Sequence, residues 1–172
     1  MELMLTEEVG VMVGLLEEAG AKVVVASLSG KPIRGDPTTL APDLKLSDVS
    51  LDDYAGVVIP CMAAGFGGDP GTLPPEALKI VKEAVAQGKP VAAQQSAVLI
   101  LAKAGVLDGR RFAIAAENRN YIAVGTFAGA GVVRAGRIVT AGTCPLQAQT
   151  FGLPDTTTEL TRRFIALMAS VK

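Results

Sequence analysis

The stretch "KPVAAQQSAVLILAKAGVLDGRRF", residues 89–112, reads as a short buried strand, a sharp turn and a helix, and the turn carries Gln94, Gln95 and Ser96. A glutamine amide offers both donors and an acceptor, so Gln95 can orient a ligand or a water; it can equally fill the turn without any chemistry. Ser96 would need a base to act as a nucleophile, and its place before "AVLILAKAG" suits helix capping better. The chain holds no histidine at all. Ser-His-Asp triads, Cys-His dyads and His-ligated zinc or iron are therefore excluded within one chain.

Cys61 and Cys144 are the only thiols, far apart and outside any C-x-x-C pair, which argues against a redox motif or a cysteine-rich zinc site. A disulfide between them runs against a reducing cytosol. Each reads two ways. Cys61, in a strand-end loop beside a helix start, is either an activated thiol or an inert buried side chain; Cys144 in "AGTCPLQ" is the same, its activation needing a Lys, an Arg or a helix dipole. No metal and no cofactor are expected. "GFGGDPG", residues 65–71, matches neither phosphate-binding pattern and reads as turn chemistry. "AAENRNYIAVG", with Glu117, Asn118, Arg119 and Asn120, reads as a pocket cover, a subunit contact or a solvated loop. Asp52 and Asp53 precede a strand and should face solvent.

The chain that must position these groups has 172 residues, 49% hydrophobic and 19% charged, enough for one well-buried unit. Sixteen basic against seventeen acidic residues leave a net charge of -1 with no basic cluster, so nucleic acid is not an expected partner. No apolar run is long enough to cross a bilayer and no signal peptide is recognisable, so a cytoplasmic protein is expected.

The elements alternate. Thr6 should cap a helix running to Gly20, "KVVVAS" should be a buried strand, and residues 28–56 should be turns with short strand pieces. "VVIP", Val57 to Pro60, is a second strand, and Pro75 opens a helix that ends at Gly88. "PVAA" and "SAVLILAKAG" repeat strand and helix, and "RRFAIA" adds a strand. Residues 117–131 should be loop with at most one helical turn. "GVVRAGRIVTAG" reads as two strands around Ala135-Gly136, and a Thr156-x-x-Glu159 capping box should begin the last helix. Such spacing indicates a mostly parallel sheet covered by helices on both faces. Ligands then bind beyond the carboxyl ends of the strands, which places the loops of Cys61, Gln94 to Ser96 and Cys144 on one rim.

"DDYAGVVIP", the proline-initiated helix ending in "GKPVAA", "LAKAGVLDGRR" and "GRIVTAGT" before a final helix together resemble the ThiJ/PfpI superfamily. That group includes the DJ proteins, intracellular proteases or amidases, and cofactor-free glyoxalases. The resemblance runs from about Thr6 to Ser170 and implies a flavodoxin-like three-layer sandwich in one domain, residues 1–172. It also implies pairing into a homodimer or higher homo-oligomer. In that family the turn after "PVAA" carries a nucleophilic cysteine in a strained conformation; Gln95 stands at the matching position and Ser96 follows it. Two residues after the "IP" strand, here Cys61 and Met62, offer backbone N–H groups to an oxyanion. An acidic residue near the start of the first helix meets the cysteine, and Glu2, Glu7 and Glu8 lie in that neighbourhood while an ungapped alignment points to Leu5. The family's first central strand has only "MELML" to represent it, so that strand is shortened or missing, or the sequence starts downstream of it.

Three functions are open on this reading. The leading one is a non-catalytic protein binding a small polar metabolite through Cys61, Met62, Gln94, Gln95, Ser96 and Cys144. The second is a cofactor-free hydrolase, amidase or glyoxalase-like enzyme using Cys61 or Cys144. The third is an oligomeric structural component.

Overall fold

The computed structural model describes residues 2–34, 39–61 and 73–170. Its centre is a four-stranded sheet in the order β5 (Val57–Ile59), β6 (Val91–Gln94), β10 (Ile138–Ala141), β9 (Val132–Ala135). The first three strands run parallel, and β9 returns antiparallel through the tight turn at Gly136. The glycine there has a φ of 64°, a left-handed conformation that favours a residue without Cβ.

Side-chain alternation on the central strands divides the core into two layers. Ala92 of β6, with Val139 and Ala141 of β10, packs on Met12 and Leu16 of α1 (Glu2–Glu18) and on Leu160, Phe164 and Leu167 of α5 (Thr157–Ala169). Val91, Ala93 and Ile138 point the other way, onto Ile80, Val81 and Ala84 of α2 (Pro75–Ala86) and Val98 to Leu101 of α3 (Val98–Lys103). β6 is buried along its whole length because both faces are covered, which is why it reads as an unbroken small apolar run. The expected mostly parallel sheet with helices on both faces is therefore observed.

Several boundaries differ from the sequence expectation. Helix α1 begins at Glu2, so Thr6 lies inside it and residues 2–5 are helix. "KVVVAS" forms strand only at β1 (Ala26–Ser27), which pairs with β4 (Leu44–Lys45) and with no other described strand. Val25 turns its backbone to the Asp43 segment instead: its N–H donates to Asp43 Oδ2 at 2.8 Å and its carbonyl accepts the Asp43 N–H at 2.8 Å. Among the described residues the outer edge of β5 likewise has no strand beside it. The 28–56 stretch holds short pieces as expected, including the pair β2 (Ile33–Arg34) and β3 (Thr39–Leu40).

"RRFAIA" is strand only at β7 (Arg111–Phe112), which pairs with β8 (Thr126–Phe127) inside the expected loop. Beyond it the Ala113 N–H is taken by a side chain, Thr140 Oγ1 at 2.8 Å, while the Ile114 N–H still donates to the Gly129 carbonyl at 3.2 Å. The polar run before β8 is a 3₁₀ helix, Ala116–Tyr121. At α2 the proline entry holds, and the end closes as a Schellman motif, with Lys89 N–H donating to Ala84 O and Gly88 N–H to Val85 O.

Candidate functional site

The carboxyl ends of β5, β6 and β10 bring three loops together, and α1 lays one acidic side chain among them. Glu8 is that residue. Its Oε1 accepts the backbone N–H of Cys61 at 2.7 Å, although α1 and the end of β5 are far apart in sequence. The phase of α1 selects it: Glu8 precedes the buried Met12 by one helical turn and Leu16 by two, whereas Glu7 faces solvent. This phase was the signal available in the sequence. An ungapped alignment points to Leu5 and leaves the acid unassigned among Glu2, Glu7 and Glu8, because it ignores which face of the helix is buried.

The turn after β6 holds Gln95 at a φ of 49°, the one left-handed non-glycine residue among those described. Such a backbone costs a side-chain-bearing residue roughly 1–2 kcal/mol, so surrounding contacts must hold it there. Two do. Gln95 Oε1 accepts the Ser96 N–H, and it accepts the Cys61 thiol at 3.2 Å. Ser96 Oγ lies 3.8 Å from Cys61 Sγ. Helix α3 is entered through a 3₁₀ turn, Gln95–Ala97, so Ser96 sits inside that turn and the α3 cap position is Ala97. The expected Ser96 cap is corrected accordingly.

Gln94 points elsewhere. Its Nε2 donates to Thr143 O at 2.9 Å and to Thr157 Oγ1 at 3.0 Å, tying β6 to the loop of Cys144 and to the start of α5. Thr156 joins the same knot, its Oγ1 donating to Thr143 O at 2.7 Å. The capping box expected from Thr156 and Glu159 does not form, because the Thr156 hydroxyl is engaged there. Asp155 serves the helix start in its place, accepting the Thr157 N–H at 3.0 Å. Thr143, Asp155 and Thr157 thus brace the loop that carries Cys144, a role no local pattern in the sequence indicated. Met62 and the "GFGGDPG" loop lie outside the described residues.

Cys144, at the N-cap position of α4 (Pro145–Phe151), closes the cluster. Both thiols are free, and the two sulfurs and a Glu8 carboxylate oxygen all lie within 4.8 Å of one another. Among the described residues this is the one group of acidic and thiol side chains close enough to present three donors to a metal ion.

The electrostatics follow from burial and proximity. Glu8 is 1% exposed, and burial, opposed by the Cys61 N–H and reinforced by Cys144 and Asp155, pushes its carboxyl up from 4.5 to about 8. It is therefore a neutral acid at neutral pH. The two thiols share one hydrogen bond and move apart. Cys144 falls below the ordinary thiol range because its thiolate accepts the Cys61 S–H, with backbone N–H groups of Gln147 and Leu146 adding to the effect against burial. Cys61 rises, first because it is the donor to Cys144, then from burial and the nearby Glu8. Its single proton can point to Gln95 Oε1 or to the Cys144 sulfur, and a thiolate at Cys144 draws it to the sulfur.

With this geometry in hand, comparison with known proteins places the chain. A family model described as the DJ-1/PfpI family matches residues 2–153. The protein belongs to the DJ-1/PfpI family. A ThiJ/PfpI domain protein from Brachyspira murdochii shares the fold at a TM-score of 0.81 and 21% identity, over 99% of this chain and 92% of that one. DJ-1beta of Drosophila melanogaster matches at a TM-score of 0.76 and 23% identity, over 94% and 83% of the two chains. Among curated relatives, an uncharacterised protein of Archaeoglobus fulgidus is 38% identical over 97 residues, covering 56% of each chain. A deglycase of Pyrococcus abyssi is 36% identical over 97 residues, 56% of this chain and 57% of the relative. The match thus spans just over half the length of these relatives. No helix among the described residues is long and apolar enough to cross a membrane.

Proposed function

We propose that this family member is a cofactor-independent thiol enzyme for small reactive carbonyl compounds, with Cys144 as nucleophile and Glu8 as its acid. The observation that carries the reading is the grouping of the two sulfurs and a buried carboxyl within 4.8 Å. The Cys144 thiolate would add to an aldehyde or ketone carbon while the neutral Glu8 gives its proton to the oxygen that becomes an alkoxide. A carboxylic acid held neutral by burial is suited to that donation. Cys61 keeps Cys144 ionised by donating its S–H. The Cys61 N–H, one of the two oxyanion donors the resemblance implied, is already committed to Glu8, so Glu8 itself answers the developing charge. The name of the Pyrococcus abyssi relative, a deglycase, supports chemistry on carbonyl adducts.

Consumption of a small 2-oxoaldehyde by the reduced protein tests this. Cys144→Ser should remove turnover and Glu8→Gln should lower kcat by about 10²-fold or more, the usual size of a general-acid effect. Full turnover by Cys144→Ser would rule the assignment out.

A second reading is favoured by one observation: Cys144 is only 1% exposed. The same rim would then bind a small polar metabolite without turning it over, with Gln95 orienting it. Saturable binding to the wild type that disappears in Gln95→Ala, without turnover, would select this reading. Pairing with a second copy of the chain fits either, and sedimentation of the protein as a monomer at micromolar concentration would remove it.

A further inference from the structure

We infer that Cys61 and Cys144 close into a reversible disulfide, with a peroxide as small as hydrogen peroxide as oxidant, giving the site a second, redox activity. The inference rests on the same assignment of Cys144 as the nucleophilic sulfur. The two cysteines leave the ends of different parallel strands, and their sulfurs lie within 4.8 Å of each other, both as free thiols. Each sulfur is reached from its own loop, so closing the remaining gap requires side-chain rotation and a small shift of either loop end. The loop of Cys144 is braced through Thr143 to Gln94 and Thr156. Cys61 is the half-buried partner, held by its N–H to Glu8 and by its thiol to Gln95.

Burial sets the oxidant. Cys144 is 1% exposed, which favours a small oxidant such as a peroxide over a bulky disulfide. The Cys144 thiolate attacks one peroxide oxygen, the O–O bond breaks, and the hydroxide released takes the Glu8 proton and leaves as water. The product is a sulfenic acid at Cys144. Cys61 sulfur then attacks the Cys144 sulfur; the S–S bond forms, the S–O bond breaks, and the departing hydroxide takes the Cys61 proton as a second water. Glu8 recovers its proton from solvent as the remaining ion is neutralised. In net terms two thiols are oxidised to one disulfide and one peroxide is reduced to two waters. The neighbouring Cys61 competes with further oxidation of the sulfenic acid because it is already in place. The closed form has no free thiol to add to a carbonyl, so peroxide would switch off the carbonyl reaction until a thiol reductant reopened the site.

The test is intact-mass spectrometry of the full chain after stoichiometric hydrogen peroxide, with no carbonyl compound present, followed by site-by-site alkylation under denaturing conditions. The expected product has lost two hydrogens, has neither cysteine free, and returns to the starting mass with dithiothreitol. Cys61→Ser should instead stop with one added oxygen on Cys144, trapped by dimedone. The inference is overturned if the wild type gains oxygen on Cys144 while Cys61 stays alkylatable, or if both thiols survive. The wild-type measurement decides this even if the variant fails to fold. Carbonyl turnover is measured separately under reducing conditions. Turnover without disulfide formation therefore removes the redox activity alone, whereas disulfide formation without turnover removes only the carbonyl reading.

Discussion

At the scale of single residues, Glu8 dominates the site because a buried carboxyl changes both chemistry and stability. Its proton stays on in the folded protein up to about 8, while an unfolded chain loses it near 4.5. Between those values the folded state binds more protons than the unfolded state, so stability must fall as pH rises, by at most about 1.4 kcal/mol per pH unit. Above neutrality the depressed Cys144 acts in the opposite sense, since a thiolate favoured by folding adds stability as pH rises. Urea unfolding between pH 5 and 7 should therefore show the wild type losing stability with rising pH and Glu8→Gln nearly level. A wild-type profile as level as that of the variant would mean that Glu8 is ionised in the fold. The acid was legible as a residue type near the helix start. Its identity required the helical phase that puts Glu8, and not Glu7, over Met12.

At the scale of elements, two backbone positions fix where the thiols stand. Gly142 precedes the Thr143-Cys144 pair, and a Cβ there would lie 2.6 Å from Ala130 Cα and 2.7 Å from the Ile114 carbonyl carbon. Neither backbone can yield cheaply, so Gly142→Ala should destabilise the fold by several kcal/mol, on the order of other overpacked core changes, and lower Cys144 reactivity with it. Thermal unfolding with per-site alkylation reads both, and an unchanged Tm would contradict the packing account. At the turn after β6, Gln95→Gly removes the cost of a left-handed side-chain-bearing residue, whereas Gln95→Ala keeps it, and both lose the Cys61 contact. Gln95→Gly should therefore be the more stable of the two by about 1 kcal/mol in denaturant titration. Equal stabilities would mean the turn relaxes when the glutamine is removed. The strand, turn and helix were readable from "PVAAQQSAVLILAKAG". The hydrogen bonds that hold the turn were not, because Cys61 reaches it from another strand.

At the scale of the whole molecule, the sandwich itself was legible: regular alternation, β6 as an apolar run buried on both faces, and proline and glycine bounding α2 are signals of local origin. The failures share a non-local cause. "KVVVAS" has the composition of a strand but a partner only at Ala26–Ser27, and "RRFAIA" pairs as strand only at Arg111–Phe112. Phe164 shows how closely the site depends on the layers beneath it. It is 2% exposed, lies with Met12 and Leu16 under the strands, and comes from the same α5 whose first residue braces Gln94. Phe164→Ala should cost about 3–5 kcal/mol in urea unfolding. A cost below 1 kcal/mol would show that α5 does not anchor the sheet.

The central claim is that Cys144 is an activated thiol held ionised by Cys61. Per-site alkylation of the native protein across pH 5 to 9, in wild type and Cys61→Ser, tests it most directly. The account predicts that Cys144 reacts with a midpoint below the ordinary 9.0 of a thiol and that the midpoint moves up when Cys61 is replaced. A Cys144 midpoint at or above the ordinary value, or one indifferent to Cys61, would contradict it.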